Sequence, residues 1–260
     1  MGRISEKRNG RGKNKRAVVN SVFGCAFAAI LLAFLTGCSN TKEDSSTAEI
    51  TREESIDDKL AQIMELNPDI FGWIYVPDTI INAPLLQNSD GDDEYYLYHN
   101  YDNEFDINGS VFIESANLRD MTDFNEIIYG KANESTGFSD LYKFKDKAFF
   151  DSHETIYVYI DGNALTYEII LAYERENTNI LEQYDLTYAS GCSKFIEDMY
   201  GARSMNKYVR DGWDDVIVPE NFLITLTALE EDNADKQYVV VACLVGDAAG
   251  TIDRWFDVEE

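Results

Sequence analysis

Positive charge, histidine, cysteine and proline are all scarce in this chain, and each shortage narrows what it can be. Of 260 residues only 22 are Lys or Arg, against 48 Asp or Glu, with two His, four Cys and four Pro. Seven of the basic residues and one of the acids lie in residues 1–38, which leaves 15 against 47 and a formal net charge of −32 for the remainder. A surface of that sign repels phosphate backbones and anionic surfaces, so nucleic acid is excluded as a partner. It favours solubility and would draw cationic partners. The two histidines, His99 in "YYLYHNY" and His153 in "FFDSHET", stand alone, and a packing or surface role is expected for both. Among the cysteines, Cys192 and Cys243 form either one disulfide in an oxidising exterior or two unpaired thiols. The chain is not a disordered acidic tail: 45% apolar and 13% aromatic residues belong to a globular protein able to bury a core.

Residues 1–38 differ from the rest. A basic start (Arg3, Lys7, Arg8, Arg11, Lys13, Lys15, Arg16) precedes the apolar run "VFGCAFAAILLAFL", residues 22–35. As a helix that run rises ~21 Å, short of a ~30 Å hydrocarbon core, so it reads as an export signal. Leu35-Thr36-Gly37-Cys38 resembles the lipobox of bacterial lipoproteins. That resemblance implies a diacylglyceryl group on Cys38, cleavage before it, and an extracytoplasmic domain held to the cell membrane by its lipid. An uncleaved membrane helix is the alternative, and it also places the domain outside. Residues 39–54 are polar and Ser/Thr-rich and read as a flexible tether.

From residue 55 a folded domain is expected to run to 260. Ile56, Leu60, Ile63, Met64 and Leu66 recur at helical spacing, with Ser55 available as a cap and Asn67-Pro68 as the stop. Eight strand-like runs follow: residues 72–76, 81–87, 110–114, 126–130, 155–160, 165–174, 222–227 and 238–245. Their β-branched and aromatic content suits a closed or nearly closed barrel. Pro84 falls inside the second run, which makes that strand an edge or the site of a bulge. Between the sixth and seventh runs "SGCSKFIEDMYGARS" places Phe195, Ile196 and Met199 at helical spacing, an inserted helix expected as a lid or groove wall.

Five segments in order, "LNPDIFGWIYVPDTIINAPLLQ", "DDEYYLYHNYDNEFDINGSVFIE", "EIIYGKANESTGFSDLYKFKDKAFF", "LITLTA" and "QYVVVACL", resemble a class B sortase over roughly residues 56–246. The resemblance implies a mainly β fold: an eight-stranded sortase-like barrel with an N-terminal helix and an inserted helix between strands six and seven. It also implies a cysteine transpeptidase of the Gram-positive cell wall, which cuts a sorting signal and joins the protein to an acceptor. The side chains for that chemistry are missing. Where the family has "YGHN" this chain has Tyr129-Gly130-Lys131-Ala132-Asn133; where it has "TC" this chain has Thr227-Ala228; where it has "RYVV" this chain has Gln237-Tyr238-Val239-Val240. A methyl group cannot attack a carbonyl, an ammonium is a poor base, and a neutral amide lacks the charge of a guanidinium. Lys131 faces either solvent or an acidic rim at Glu230, Glu231 and Asp232.

The expectation is therefore a catalytically inactive, lipid-anchored sortase-like protein that grips an extended peptide or secreted protein in the former active-site groove. The resemblance maps substrate-facing positions onto Asp93, Leu97, Thr227 and the helix from Phe195 to Tyr200. The competing expectation is an enzyme with non-standard residues such as Lys131 and Glu230. No cofactor or metal is expected: the acidic stretches 88–94, 102–110 and 230–235 offer hard oxygens, yet none matches a calcium loop, and turns facing water account for them.

Overall fold

The computed structural model describes residues 56–160, 162–230 and 235–247. The export signal, the lipobox with Cys38, the tether, Ser55, Glu231 and Asp232 lie outside the described residues. The chain enters through helix α1 (Ile56–Leu66). Leu60 is buried, with Ile63 and Met64 packed beside it. Leu66 departs from the expected apolar stripe and is 74% exposed, because the chain turns at Asn67, whose backbone closes on Ile63, and Asn67 is buried in its place. The Asn67 side chain donates to the Tyr96 hydroxyl (3.1 Å) and the Tyr101 carbonyl (2.8 Å), and Tyr96 donates to Asp69 (2.8 Å). The helix stop thus also moors the loop that begins at Tyr95.

Nine strands follow: β1 (Ile70–Tyr75), β2 (Asn82–Leu86), β3 (Phe112–Ile113), β4 (Asn125–Lys131), β5 (Thr155–Ile160), β6 (Asn163–Glu176), β7 (Tyr208–Val209), β8 (Leu223–Leu229) and β9 (Lys236–Asp247). Eight close a barrel in the order β1-β2-β3-β4-β8-β9-β6-β5, with β5 returning to β1; β7 pairs only with β6, outside the ring. All eight expected strands are present, and β7, two residues long, carried no signal. The β4–β8 pair is parallel and runs unbroken from Asn125↔Leu223 to Lys131↔Leu229. Pro84 lies opposite Trp73 of β1, while on its other side β2 meets β3 only at Leu86↔Phe112, so the missing N–H costs no ladder bond there. The irregularity is instead in β1, between Ile70 and Gly72.

Alternation along the strands builds two apolar layers. Ile128, Ile224, Leu226, Ala228, Tyr238 and Val240 face the barrel interior, while Ile127, Tyr129, Leu223, Val239 and Val241 face outward under a helical cover. Both faces are buried, which is why β9 reads as a continuous apolar run from Tyr238 to Cys243, while in β8 Thr225 and Thr227 fall on the outward face. Between β4 and β5 a 3₁₀ helix, Phe138–Lys145, and α2 (Lys147–Ser152) send Phe138, Leu141, Phe144 and Phe150 into the interior cluster. Phe138 lies over Gly130, where a Cβ would fall 2.6 Å from its ring, so β4 needs glycine there. The expected inserted helix is α4 (Ala189–Gly201), preceded by α3 (Ile180–Gln183). Cys192, Phe195 and Met199 are buried against the outer layer. α4 walls a groove of its own, where Ser193, Ile196 and Tyr200 face Ile217 and Val218.

One buried group sets a pH dependence. Glu126 of β4 is fully buried, accepts a bond from the Asp123 backbone, and has its second carboxylate oxygen unpartnered. Burial, and then the charge of Asp123, raise its pKa well above the ordinary carboxylate range. A raised carboxylate costs nothing while protonated and opposes folding once ionised, so stability falls as pH rises from the ordinary range through the raised value. Glu126→Gln is expected to remove that fall, read as a flatter profile of melting temperature against pH, with a gain in stability at the alkaline end.

Candidate ligand-binding groove

The ends of β4, β8, β9 and β6 place four residues in one row. Lys131 pairs with Leu229, and the antiparallel register that sets Ala228 opposite Tyr238 brings Leu229 beside Gln237, which pairs with Arg175 of β6. By strand alternation all four share the outward face with Tyr129, Thr227 and Val239. Ala228 does not. It is 0% exposed and packs in the barrel interior with Ile128, Leu226 and Tyr238. Nor is it the last residue of its strand, since β8 continues to Leu229. The position facing outward beside Lys131 and Gln237 is Leu229, a side chain that also has no atom able to attack a carbonyl.

A groove of about 460 Å³ lies over this row, lined by Leu97, Phe112, Tyr129, Leu181 and Leu229, with Asp93, Glu94, Glu114, Glu182, Gln237 and the 177–179 segment around them. Of the sequence-derived ligand positions, Asp93 and Leu97 line it. Thr227 is fully buried beneath, in register with Tyr129. The helix Phe195–Tyr200 does not line it; the wall is α3 and the segment before it. A second, larger cavity of about 590 Å³ is lined by Asn117, Asp123 and Asn125 at the other end of β4. It shares Ala116, Leu181 and Glu182 with the first, so the two form one elongated depression.

The polar groups of the row are committed. Lys131 donates to the Ile107 carbonyl (2.8 Å) and lies 4.0 Å from the Tyr98 ring centroid, strapping the 98–107 loop across the end of β4. Gln237 is 4% exposed and its amide donates to the carbonyls of Glu176 and Thr178. Arg175 donates to the Thr178 carbonyl (2.7 Å) and to Gln183 (2.5 Å). Both therefore shape the groove wall. Asp93 accepts from the Ser115 backbone (2.6 Å) and hydroxyl (3.1 Å), and Glu114 from Asn179 (2.7 Å). Burial first, then the charge of Asp93, raise the Glu114 carboxyl. Burial and then Glu114 likewise push the Tyr129 phenol up.

Neither thiols nor imidazoles enter the groove among the described residues. Cys192 and Cys243 are both buried and form no disulfide, which selects the alternative of two thiols, and burial followed by Glu168 pushes the Cys243 thiol up to about 12. His99 stacks on Tyr95 at 3.8 Å and bonds its carbonyl, and His153 stacks on Phe149 at 3.7 Å. Both are packing residues. The groove residues that sequence reasoning missed are Glu114, Tyr129, Leu181, Glu182 and Leu229. Glu114 was legible as the end of an expected strand, whereas Leu229 lay beyond residue 227, the expected end of its strand.

The closed barrel with helices over one face is the fold of the sortases, seen in solved structures. A mutant form of Clostridium perfringens sortase B superposes with a TM-score of 0.61 at 27% identity, covering 72% of this chain and 86% of that one. The Staphylococcus aureus sortase B–substrate complex shares the fold, with a TM-score of 0.62 at 22% identity, covering 74% and 87%. Sortase B of Listeria monocytogenes is 40% identical over 114 residues, 44% of this chain and 45% of that protein, so the match spans under half its length. No family model matches the chain. The chain is thus similar to class B sortases in fold and, over these stretches, in sequence.

Proposed function

We propose that this chain is a catalytically inactive, class B sortase-like surface lipoprotein that binds an extended peptide, or an extended segment of a secreted protein, in the groove over β4, β8 and β9. The observation that carries the reading is the row itself: Lys131, Leu229 and Gln237 occupy the groove end of three strands without a nucleophile, and the thiols and imidazoles among the described residues are packed elsewhere. Thioester chemistry needs a thiolate in the cleft. The elongated shape favours a strand-like ligand over a compact one. The Staphylococcus aureus sortase B structure was obtained as a substrate complex, consistent with a groove of this fold receiving substrate. The lipobox-like Leu35-Thr36-Gly37-Cys38 supports attachment to the outer face of the membrane through Cys38. The alternative of an enzyme using Lys131 is weakened by the engagement of its ammonium with Ile107 and Tyr98.

The test is binding and mass spectrometry on one sample. Uncharged, end-capped peptide pools should bind saturably to the wild type and at least ~10-fold more weakly to Leu229→Trp, which fills the groove floor. The intact mass should show no acyl adduct. A covalent adduct on the wild type would restore the enzyme reading, and absence of binding by every pool would remove the peptide site.

A further inference from the structure

We infer that the chain's own residues 252–256, which follow β9, seat on the apolar groove beside α4, with Ile252, Trp255 and Phe256 packed between the helix and the 215–219 segment. This seat is separate from the groove over β4, β8 and β9, and the two have no lining residue in common.

The groove has a volume of about 460 Å³. One wall is α4, which turns Cys192, Phe195 and Met199 to the core and leaves Ile196 and Tyr200, one turn apart, on its flank. The other wall is Ile217, Val218 and Pro219. Val216 and Val218 are each about half exposed, as is Val245 near the end of β9. Single exposed apolar residues are ordinary on a protein surface, but a walled apolar groove beside them marks a place to be covered. Its charged residues are both acids, Glu197 and Asp215.

The place where β9 ends selects the occupant. Cys243 pairs with Leu223 at the start of β8, and the Leu244 N–H donates to the Phe222 carbonyl (2.8 Å), so β9 leaves the barrel beside the segment that leads into β8. That segment is the groove wall: Asn221 bonds Val218 through its backbone N–H (3.0 Å) and again through its side chain (2.9 Å). Eight residues carry the chain from Asp247 to Trp255, a reach of up to ~26 Å. Within the segment Ile252, Trp255 and Phe256 recur at i, i+3 and i+4, the spacing with which one helix face fills an apolar groove. Arg254 is the one cation in residues 248–260, and it complements Glu197 and Asp215. A ligand carried on the same chain acts at an effective concentration of roughly millimolar, so three apolar anchors suffice where a free peptide of the same sequence would bind weakly.

The experiment is photocrosslinking on the full chain in detergent. A benzophenone-bearing phenylalanine replaces Trp255 in one sample and Ser193 in another, so that one failed replacement does not end the test. After irradiation and digestion, the probe at 255 is expected to mark the peptides holding residues 193–201 and 215–219, and the probe at 193 the peptide holding 252–256, both at the mass of a single chain. With the probe at 255, Ser193→Trp, which fills the groove, and Val218→Ser, which removes part of its wall, should each lower the yield several-fold. Phe105→Ser, an exposed position in the 98–107 loop, should leave it unchanged. Crosslinks that ignore both groove variants, that fall elsewhere on the barrel, or that fail to form from either position overturn the seat. Crosslinks found only at twice the chain mass assign the groove to a second copy and overturn it equally.

Discussion

A cysteine placed at position 229 is expected to be alkylated by a small thiol reagent about 100-fold faster than one placed at 228. The two positions are adjacent, yet alternation along β8 sends them to opposite faces. Ala228 is wholly enclosed in the barrel interior, while Leu229 is half-buried and lines the groove. A reagent reaches an enclosed thiol only through opening of the barrel, and an opening free energy of about 3 kcal/mol or more is sufficient for a hundredfold difference. A buried thiol also resists ionisation, as Cys243 already does, which slows it further. Intact mass against reagent time, with the wild type as background, measures both rates. Equal rates would mean that β8 does not have this register, and the groove assignment would go with it. The same geometry bears on restoring chemistry: a nucleophile belongs at 229, with imidazole and guanidinium at 131 and 237. A thiol at 228 would sit among Ile128, Leu226 and Tyr238, away from any ligand.

Arg210→Ala should destabilise the domain by about 3–5 kcal/mol, because it removes one member of a buried polar network and leaves the others unsatisfied. The guanidinium is 8% exposed and donates to the carbonyls of Ile169, Phe150 (2.9 Å) and His153 (2.9 Å), with Glu154 at 3.3 Å and the Phe150 ring centroid at 4.9 Å. It ties β6 to α2 and the segment after it, the part of the chain that fills the barrel interior. For a domain of this size that loss corresponds to a fall in melting temperature of roughly 6–20 °C. Arg210→Lys should recover little, since an ammonium cannot serve three carbonyls in a planar fork. A fall below about 1 kcal/mol in denaturant unfolding would show that the network is dispensable.

Much of the architecture was legible before any coordinates. Eight strand runs, the helix ending at Asn67-Pro68 and the helix around Phe195 were all readable, because apolar periodicity and turn residues report local structure directly. The 3₁₀ helix and α2 were not read, although Phe138, Leu141 and Phe144 recur every three residues. β7 and Arg210 carried no signal, since a two-residue strand and a buried cation depend on distant partners.

What the sequence by itself determined is the set of chemical groups: lysine, not histidine, comes directly after Gly130, no cysteine stands between Phe222 and Val240, and glutamine, not arginine, comes directly before Tyr238. Composition also determined the acidity, and with it the kind of ligand such a protein can attract. Tertiary structure alone decided which groups meet. The groove residue is Leu229 rather than Ala228: Thr225 and Thr227 mark the outward side of β8 but are themselves fully buried, and the strand ends on two apolar residues, of which only the second reaches the groove. Pairing with β4 and β9 supplied that phase, and with it the row from Lys131 to Gln237.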